Sequence, residues 1–265
     1  MPIAEISNRL CIDVTGEDAF SFLQGLITND LKTLEGQDAL YACFLTPQGK
    51  FLHDFLATKI SDGYRLEALR SESDDLIKRL KMYKLRSKAN LTVRDDLKIY
   101  ALWGDDIADI GYQDPRLADL GKRYISSDEP LDCNADFNDY DLFRIKLGVP
   151  DGGRDLTPQL STLYDANIDL LNGVSFDKGC YLGQELTARM HYRALIKKRL
   201  LPIETNKKIP TEAEDIISNN RPIGKIYSHS GTQALACLKI KDIESPLFLD
   251  DGTEVHVQKP HWLTI

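Results

Sequence analysis

The dipeptide Asp62-Gly63 separates two apolar, strand-like runs, Phe51–Ile60 and Tyr64–Leu69. An Asp-Gly pair readily adopts the positive-φ turn whose twist matches that of paired strands, so an antiparallel hairpin is fixed at this point. The first run has a second neighbour, Leu40–Thr46, across the turn sequence Thr46-Pro-Gln-Gly49. Helices are expected on either side. Over residues 17–27, Ala19, Phe22, Leu23, Leu26 and Ile27 recur at helical spacing, and the run stops at Thr28-Asn29-Asp30. After Ser71 a second amphipathic helix carries Leu76, Ile77, Leu80, Tyr83 and Lys84, with Ser71 and Asp74 in a capping pattern.

Further along, Leu91–Trp103 reads as extended, while the polar stretch 104–135 gives no assignable element. Phe143–Leu147 leads into Gly148-Val-Pro-Asp-Gly-Gly153, which reads as a loop because of its glycines and proline. The tail changes character. Arg199–Glu204, Ile223–Ser228, Gln233–Ile240, Leu247–Leu249 and Glu254–Val257 are short strands, with turns at Ser230-Gly231 and Asp251-Gly252. This spacing predicts a small all-β module that begins near Arg199–Lys208.

Charge narrows the function. A net charge of −8 over 265 residues opposes sequence-independent nucleic-acid binding, which needs clustered Lys and Arg against phosphates. The basic run Lys197-Lys198-Arg199 is too short for that task. No run approaches the ~20 apolar residues that span a bilayer. The first residues lack the order of a signal or transit peptide, so a cytoplasmic protein is expected. The five cysteines, 11, 43, 133, 180 and 237, are scattered and form no C-x-x-C pair, which argues against a disulfide framework or a zinc site of ordinary spacing. Cys43 and Cys237 sit in apolar runs and read as core residues.

Cys180 stands apart. Gly179 and Gly183 bracket Cys180-Tyr-Leu, and Gln184–Tyr192 follows as a helix with Leu186 and Met190 on one face. A thiol just before a helix N-terminus, with Lys178 beside it, is placed where a thiolate is favoured. The same residues also suit a packed cysteine, with Gln184 and Glu185 complementing the helix dipole.

The whole segment Lys178-Gly-Cys-Tyr-Leu-Gly-Gln-Glu185 resembles the signature of the YgfZ proteins and their mitochondrial iron–sulfur assembly relatives, a branch of the aminomethyltransferase superfamily of glycine cleavage. Phe22-Leu-Gln-Gly-Leu-Ile-Thr-Asn-Asp30, Leu45-Thr-Pro-Gln-Gly-Lys50, Arg144-Ile-Lys-Leu-Gly-Val-Pro150 and Ile223-Gly-Lys-Ile-Tyr-Ser228 resemble further motifs of that family, so the likeness spans nearly the whole chain.

The resemblance implies an α+β fold of three subdomains around a central channel, aminomethyltransferase-like, with a small C-terminal β-barrel. The subdomains would be 1–90, 91–198 and 199–265. It implies a tetrahydrofolate-binding accessory factor for maturation or repair of iron–sulfur enzymes, with Cys180 as functional thiol and Lys178 beside it. Asp165, Gly179, Tyr181, Gly183, Gln184, Glu185 and Arg189 would contact the folate. The implied partners are the folate itself and iron–sulfur client enzymes or carrier proteins, without direct nucleic-acid or membrane contact. The setting would be a bacterial cytoplasm, or the mitochondrial matrix for a processed relative. Any cluster would be held only transiently, since one cysteine supplies one of the about four thiolates a cluster normally takes.

Two departures bear on this. His53 falls where the aminomethyltransferase's catalytic Asp would lie, with Asp54 next to it, which disfavours methylene transfer. Leu163-Tyr-Asp165 replaces a Pro-x-Glu whose carboxylate would face the pterin; Asp165 could anchor the ring or simply cap a helix. Arg189 and Arg193 share a helix face that suits a folate tail or bare solvent. A one-carbon transferase and a non-catalytic scaffold stand as alternatives.

Overall fold

The computed structural model describes residues 1–127, 131–193 and 196–264. The predicted hairpins form the first of three sheets. Its strands are β2 (Arg9–Thr15), β3 (Ala39–Leu45), β4 (Phe51–Ile60), β5 (Gly63–Leu69) and β6 (Asn90–Arg94), antiparallel in the order β3-β4-β5-β2-β6. Ile60 pairs with Gly63, so the tight turn is Ser61-Asp62, and Gly63 begins the next strand. The glycine answers to a neighbour: a Cβ there would lie 2.1 Å from the Val14 carbonyl oxygen of β2.

The second sheet takes β1 (Ile3–Glu5), β7 (Lys98–Leu102), β8 (Tyr112–Gln113) and β9 (Lys122–Ser126) in the order β1-β7-β9-β8. Two of these strands come from 104–135, where sequence periodicity gave nothing, because β8 is two residues long and β9 alternates poorly. The sheets do not divide the chain at residue 90, since β1 joins the second sheet and β6 the first.

The tail closes into a barrel, β10-β13-β12-β11-β14-β15, made of β10 (Lys198–Thr205), β11 (Asp215–Ser218), β12 (Arg221–Ser230), β13 (Gln233–Lys239), β14 (Leu247–Phe248) and β15 (Glu254–Val257). Closure removes the open edges that a small sheet would leave. Only β11 escapes the sequence, since Ile216 and Ile217 are too few to show alternation among their acidic neighbours.

Five helices pack on these sheets: α1 (Ala19–Gln24), α2 (Ser73–Lys84), α3 (Phe137–Lys146), α4 (Gly152–Asp155) and α5 (Gln184–Tyr192). α1 is shorter than its apolar pattern, because Gly25 ends it and Leu26 and Ile27 are buried from the following loop. The capping pattern at Ser71 and Asp74 is not used. A 3-10 turn, Arg70–Glu72, precedes α2 instead, and Ser73 Oγ donates back to the Arg70 carbonyl. The expected loop 148–153 runs into the helical turn α4, where Gly152 sits against Asp54 so closely that a Cβ would lie 2.0 Å from the carboxyl oxygen.

Where sheets, helices and barrel meet, the interior is charged. Arg9 of β2 lies 3.0 Å from Glu67 of β5 and 3.1 Å from Asp151. Arg123 of β9 lies 3.4 Å from the same Glu67 and 3.1 Å from Asp114, which also pairs with Arg116 at 2.7 Å. Both Arg116 and Arg123 donate to the Tyr140 hydroxyl of α3. Arg144 pairs with Asp141 and Asp155 and donates to Ser228 Oγ of the barrel at 2.6 Å. Asp141 is shared with Arg154. Against these five guanidiniums stand six carboxyls, the last being Asp54. Burial raises its pKa, with Asp151 adding and Arg9 opposing, and Tyr41 OH donates to it at 3.0 Å.

Asp114 gives this network a pH signature. Burial alone would raise its pKa, but Arg116 and Arg123 overcome burial and hold it at about 2. A carboxyl depressed in the fold contributes stability above its unfolded pKa and loses it as pH falls from about 4 toward about 2. Asp114→Asn is expected to cost about 3 kcal/mol at neutral pH. Denaturant melts between neutrality and strong acid should show that difference narrowing over this window; a pH-independent difference would contradict the assignment.

Candidate functional site

The segment from Ser175 to Gly183 is pinned to the first sheet from several sides. Ser175 N donates to the Thr28 carbonyl and Leu182 N to the Gly25 carbonyl. Thr28 Oγ1 donates to the Gly173 carbonyl at 2.6 Å and accepts from Cys43 N. Lys178 is buried, and its ammonium donates to the carbonyls of Gln24, Ile27 and Asn29 at 2.8, 2.8 and 2.7 Å. Three donors meet three acceptors, so the group is satisfied. Burial lowers its pKa to about 8 while Asp30 opposes. Lys178 is therefore a clamp on the chain after α1, and its charge is committed there rather than offered to Cys180. Its Nζ also lies 5.2 Å from the centroid of the buried Tyr181 ring.

Beyond the loop, α5 starts at Gly183, in the left-handed region at φ 81. A Cβ on Gly183 would lie 2.5 Å from the Thr46 carbonyl oxygen, and one on Gly49 would lie 2.6 Å from Leu186 Cβ. The turn between β3 and β4 thus presses directly on the start of α5. Three motifs far apart in sequence, 22–30, 45–50 and 178–185, become one structural unit.

Within this unit the neighbouring pair Gly179-Cys180 faces outward, as do Gly25, Pro47, Gln48 and Glu185. Cys180 and Gly179 are exposed, and among the described residues no hydrogen bond or ion pair holds the thiol. Gly179 has open space where a Cβ would stand, unlike Gly183. Packing within the chain does not account for a glycine at this place. The other thiols differ. Burial pushes Cys11 and Cys237 up to about 12 and Cys43 well above its ordinary value. Cys133 is exposed but lies away from the motif in sequence.

Among the described residues the side chains of the remaining nominated residues make no hydrogen bond with one another. Gln184 is half-buried and Glu185 and Arg189 are exposed, with no side-chain hydrogen bond among the described residues. Asp165 closes a short 3-10 turn, Leu163–Ala166: its Oδ2 accepts from Thr162 N at 2.6 Å and Thr162 Oγ1 at 3.0 Å. It serves as the helix cap that was the alternative to a pterin anchor. Gly183 and Tyr181 are buried in packing. An aromatic pair that sequence reading passed over borders the loop: Phe176 and His191 stack with centroids 3.8 Å apart, beside exposed Tyr192. Only the i,i+1 neighbours of these residues are visible in sequence, so the stack left no periodic signal.

His53 and Asp54 exchange their expected places. His53 is held outside the charged junction, with Nδ1 3.2 Å from Glu72 and Nε2 3.0 Å from Asp75. Asp54 turns into the junction beside Tyr41. The interior position therefore carries a carboxyl. Adjacent strand residues face opposite ways, so a one-residue offset decides which group points inward. The paired glycines Gly152-Gly153, each pressed on a carboxylate, were the available sequence hint.

A cleft of about 560 Å³ opens between the first two sheets, lined by Asn29, Asp38, Tyr41, Gln113, Asp114 and Asn172 among others. It contains none of the residues nominated for folate, and its lining includes no Lys or Arg. A folate's anionic tail finds no partner in it. Among the described residues no group of three His, Cys, Asp or Glu is arranged to hold a metal ion.

Comparison with known proteins agrees with this architecture. Residues 197–265 match the family model described as the CAF17 C-terminal beta-barrel domain. The chain is 32% identical to the mitochondrial iron–sulfur cluster assembly factor IBA57 of Homo sapiens, over 97% of this chain and 84% of that protein. It is 31% identical to the Mus musculus protein of the same name, over 92% and 79%. Among solved structures, the glycine cleavage system aminomethyltransferase T from Bartonella henselae superposes with a TM-score of 0.76 at 15% identity, covering 99% of this chain and 86% of that one. The fold is thus the aminomethyltransferase α+β fold with its C-terminal barrel. The relatives are named as mitochondrial, and among the described residues no helix is long and apolar enough to cross a membrane. From its sequence likeness along nearly its whole length, the chain belongs to the IBA57 family of iron–sulfur cluster assembly factors.

Proposed function

We propose that this chain assists the maturation or repair of iron–sulfur enzymes, using Cys180 as its working thiol. The observation that carries the reading is the Gly179-Cys180 pair. It is exposed and, among the described residues, without a side-chain partner, on a loop whose base is locked by Lys178 to three carbonyls. A thiol held rigidly at a surface, beside a glycine that leaves room for another backbone, suits donation to a cluster shared with a second protein. The one exposed thiol of the motif contributes one ligand, and the remaining ligands come from that carrier or client. The names of the relatives support the same role. The setting we infer is the mitochondrial matrix or a bacterial cytoplasm.

In cells whose only copy carries Cys180→Ser, the activity of dependent [4Fe–4S] enzymes should fall to the level of cells lacking the protein. Cys133→Ser, at the other exposed thiol, should leave it unchanged. Full activity with Cys180→Ser would refute the thiol role and favour a scaffold. Lys178→Met leaves three buried carbonyls without a donor and should cost about 3 kcal/mol of stability, whereas Cys180→Ser should leave the melt unaltered. Equal stability of the Lys178→Met protein would remove the clamp.

For tetrahydrofolate we propose the cleft beside Tyr41, not the set around Asp165. Asp38 is exposed at its rim with no partner among the described residues, and a carboxylate there can accept paired bonds from the amino and N–H groups of a pterin. The tail would extend into solvent. Calorimetric titration with tetrahydrofolate should show binding that Asp38→Asn loses and Asp165→Ala keeps. The reverse pattern would restore Asp165 as anchor, and no binding by the unaltered protein would remove folate from the account.

A further inference from the structure

Among the described residues no hydrogen bond or ion pair engages the side chains on the outward stripe of α2. Leu76 and Leu80 are buried against the first sheet. On the opposite side, Lys78, Lys81, Met82 and Leu85 follow at offsets of three and four, so they share one face. Met82 is 66% exposed and Leu85 89%. Leu85 ends the helix at φ 44, ψ −106, a conformation that is strained for a branched side chain and open to glycine. A leucine held in strain and almost wholly in water gains nothing from its own fold.

Toward the C-terminal end of α2 the charges are cationic, while exposed Asp74 lies one turn before Lys78 and Asp18 shares the groove between α1 and α2 with Arg86. Among the described residues Lys78, Lys81, Lys84 and Arg86 have no carboxylate partner, while Arg79 pairs with Asp75 and Lys88 with Glu17. This is a cationic patch on a chain of net charge −8. Met82 and Leu85 stand outside the groove of about 440 Å³ between α1 and α2, which is lined instead by Phe22, Leu26, Tyr83 and Arg86. The apolar groups project and do not form a trough for a peptide. A projecting apolar tip ringed by unpaired cations matches an anionic lipid surface, where the tip enters the acyl boundary and the cations meet headgroups.

We infer that the Lys78–Arg86 end of α2 is a peripheral docking site for an anionic membrane surface, orienting the acidic remainder of the protein away from the lipid. This differs from spanning a bilayer, and it extends the function proposed above without depending on Cys180.

The test is co-sedimentation of the full chain with vesicles of phosphatidylcholine, alone or containing about 30% phosphatidylserine. Binding should occur only to the anionic vesicles and weaken as salt rises from about 0.05 to about 0.5 M. Lys81→Glu/Lys84→Glu should weaken it more than about tenfold, from roughly fivefold for each cation lost. Met82→Ser/Leu85→Ser should abolish what high salt leaves. Leu85→Gly separates docking from folding: it should weaken vesicle binding while raising the melting temperature. Unaltered protein remaining in the supernatant overturns the proposal and leaves the stripe to an acidic protein partner. Equal binding by Met82→Ser/Leu85→Ser overturns the insertion of the tip.

Discussion

The fold depends on a knot of buried charge. Arg9, Glu67, Asp114, Arg116, Arg123, Arg144, Asp151 and Asp155 come from both open sheets, two helices and the segments between them, and Ser228 ties in the barrel. Ion pairs of this kind add little net stability over apolar packing, because desolvation offsets attraction, but losing one member is costly. Their contribution is to arrangement. Each guanidinium accepts only a narrow set of positions for its carboxylates, so elements far apart in sequence are held at one relative placement. The surplus carboxyl, Asp54, meets this knot through the Tyr41 hydroxyl and the field of Arg9, and burial raises its pKa against that field.

A second constraint fixes the motif loop. Lys178 fixes the end of α1 and the loop after it by filling three carbonyls at once, and Gly49 and Gly183 allow the β3–β4 turn to press against α5. These residues have no surface role; they set where Gly179 and Cys180 emerge. Most of the motif is therefore architecture beneath two functional residues, which explains how a long signature can surround a single thiol.

The elements legible in sequence were those with local causes. The hairpins β3–β4–β5, the helix α5 and five of six barrel strands follow from periodicity and turn residues. The charged junction was invisible as a whole, because the pairs that join distant elements, Arg9 with Glu67 and Asp151 and Arg123 with Glu67, leave no local pattern, although Asp114 with Arg116 and Asp141 with Arg144 are neighbours in sequence. The residue types of Lys178 and Asp165 suit chemistry as well as packing; the carbonyls around α1 show that the lysine clamps, and the donors of Thr162 show that the aspartate caps its own turn. His53 and Asp54 turned on a single residue of strand phase, which an irregular β3–β4 register near Phe44 and Leu45 obscures.

The strand β1 carries a consequence for the order of assembly. Ile3–Glu5 pairs with Tyr100–Leu102, and Pro2 and Ile3 accept backbone bonds from Trp103 and Ala135. Within the first sheet β3 with β4 and β4 with β5 pair through neighbours in sequence, so those hairpins can form early, whereas β2 pairs with β5 and β6 from much further along the chain. The pairing of β2 with β6 and that of β1 with β7 must both wait, on a growing chain, until residues 90–102 have been synthesised and can return to strands made earlier. Loop closure over that distance is slow relative to hairpin formation. Until then β1 and one edge of β2 stay unpaired beside hairpins already formed, a stage at which a chaperone or a second nascent chain has its best opportunity to bind.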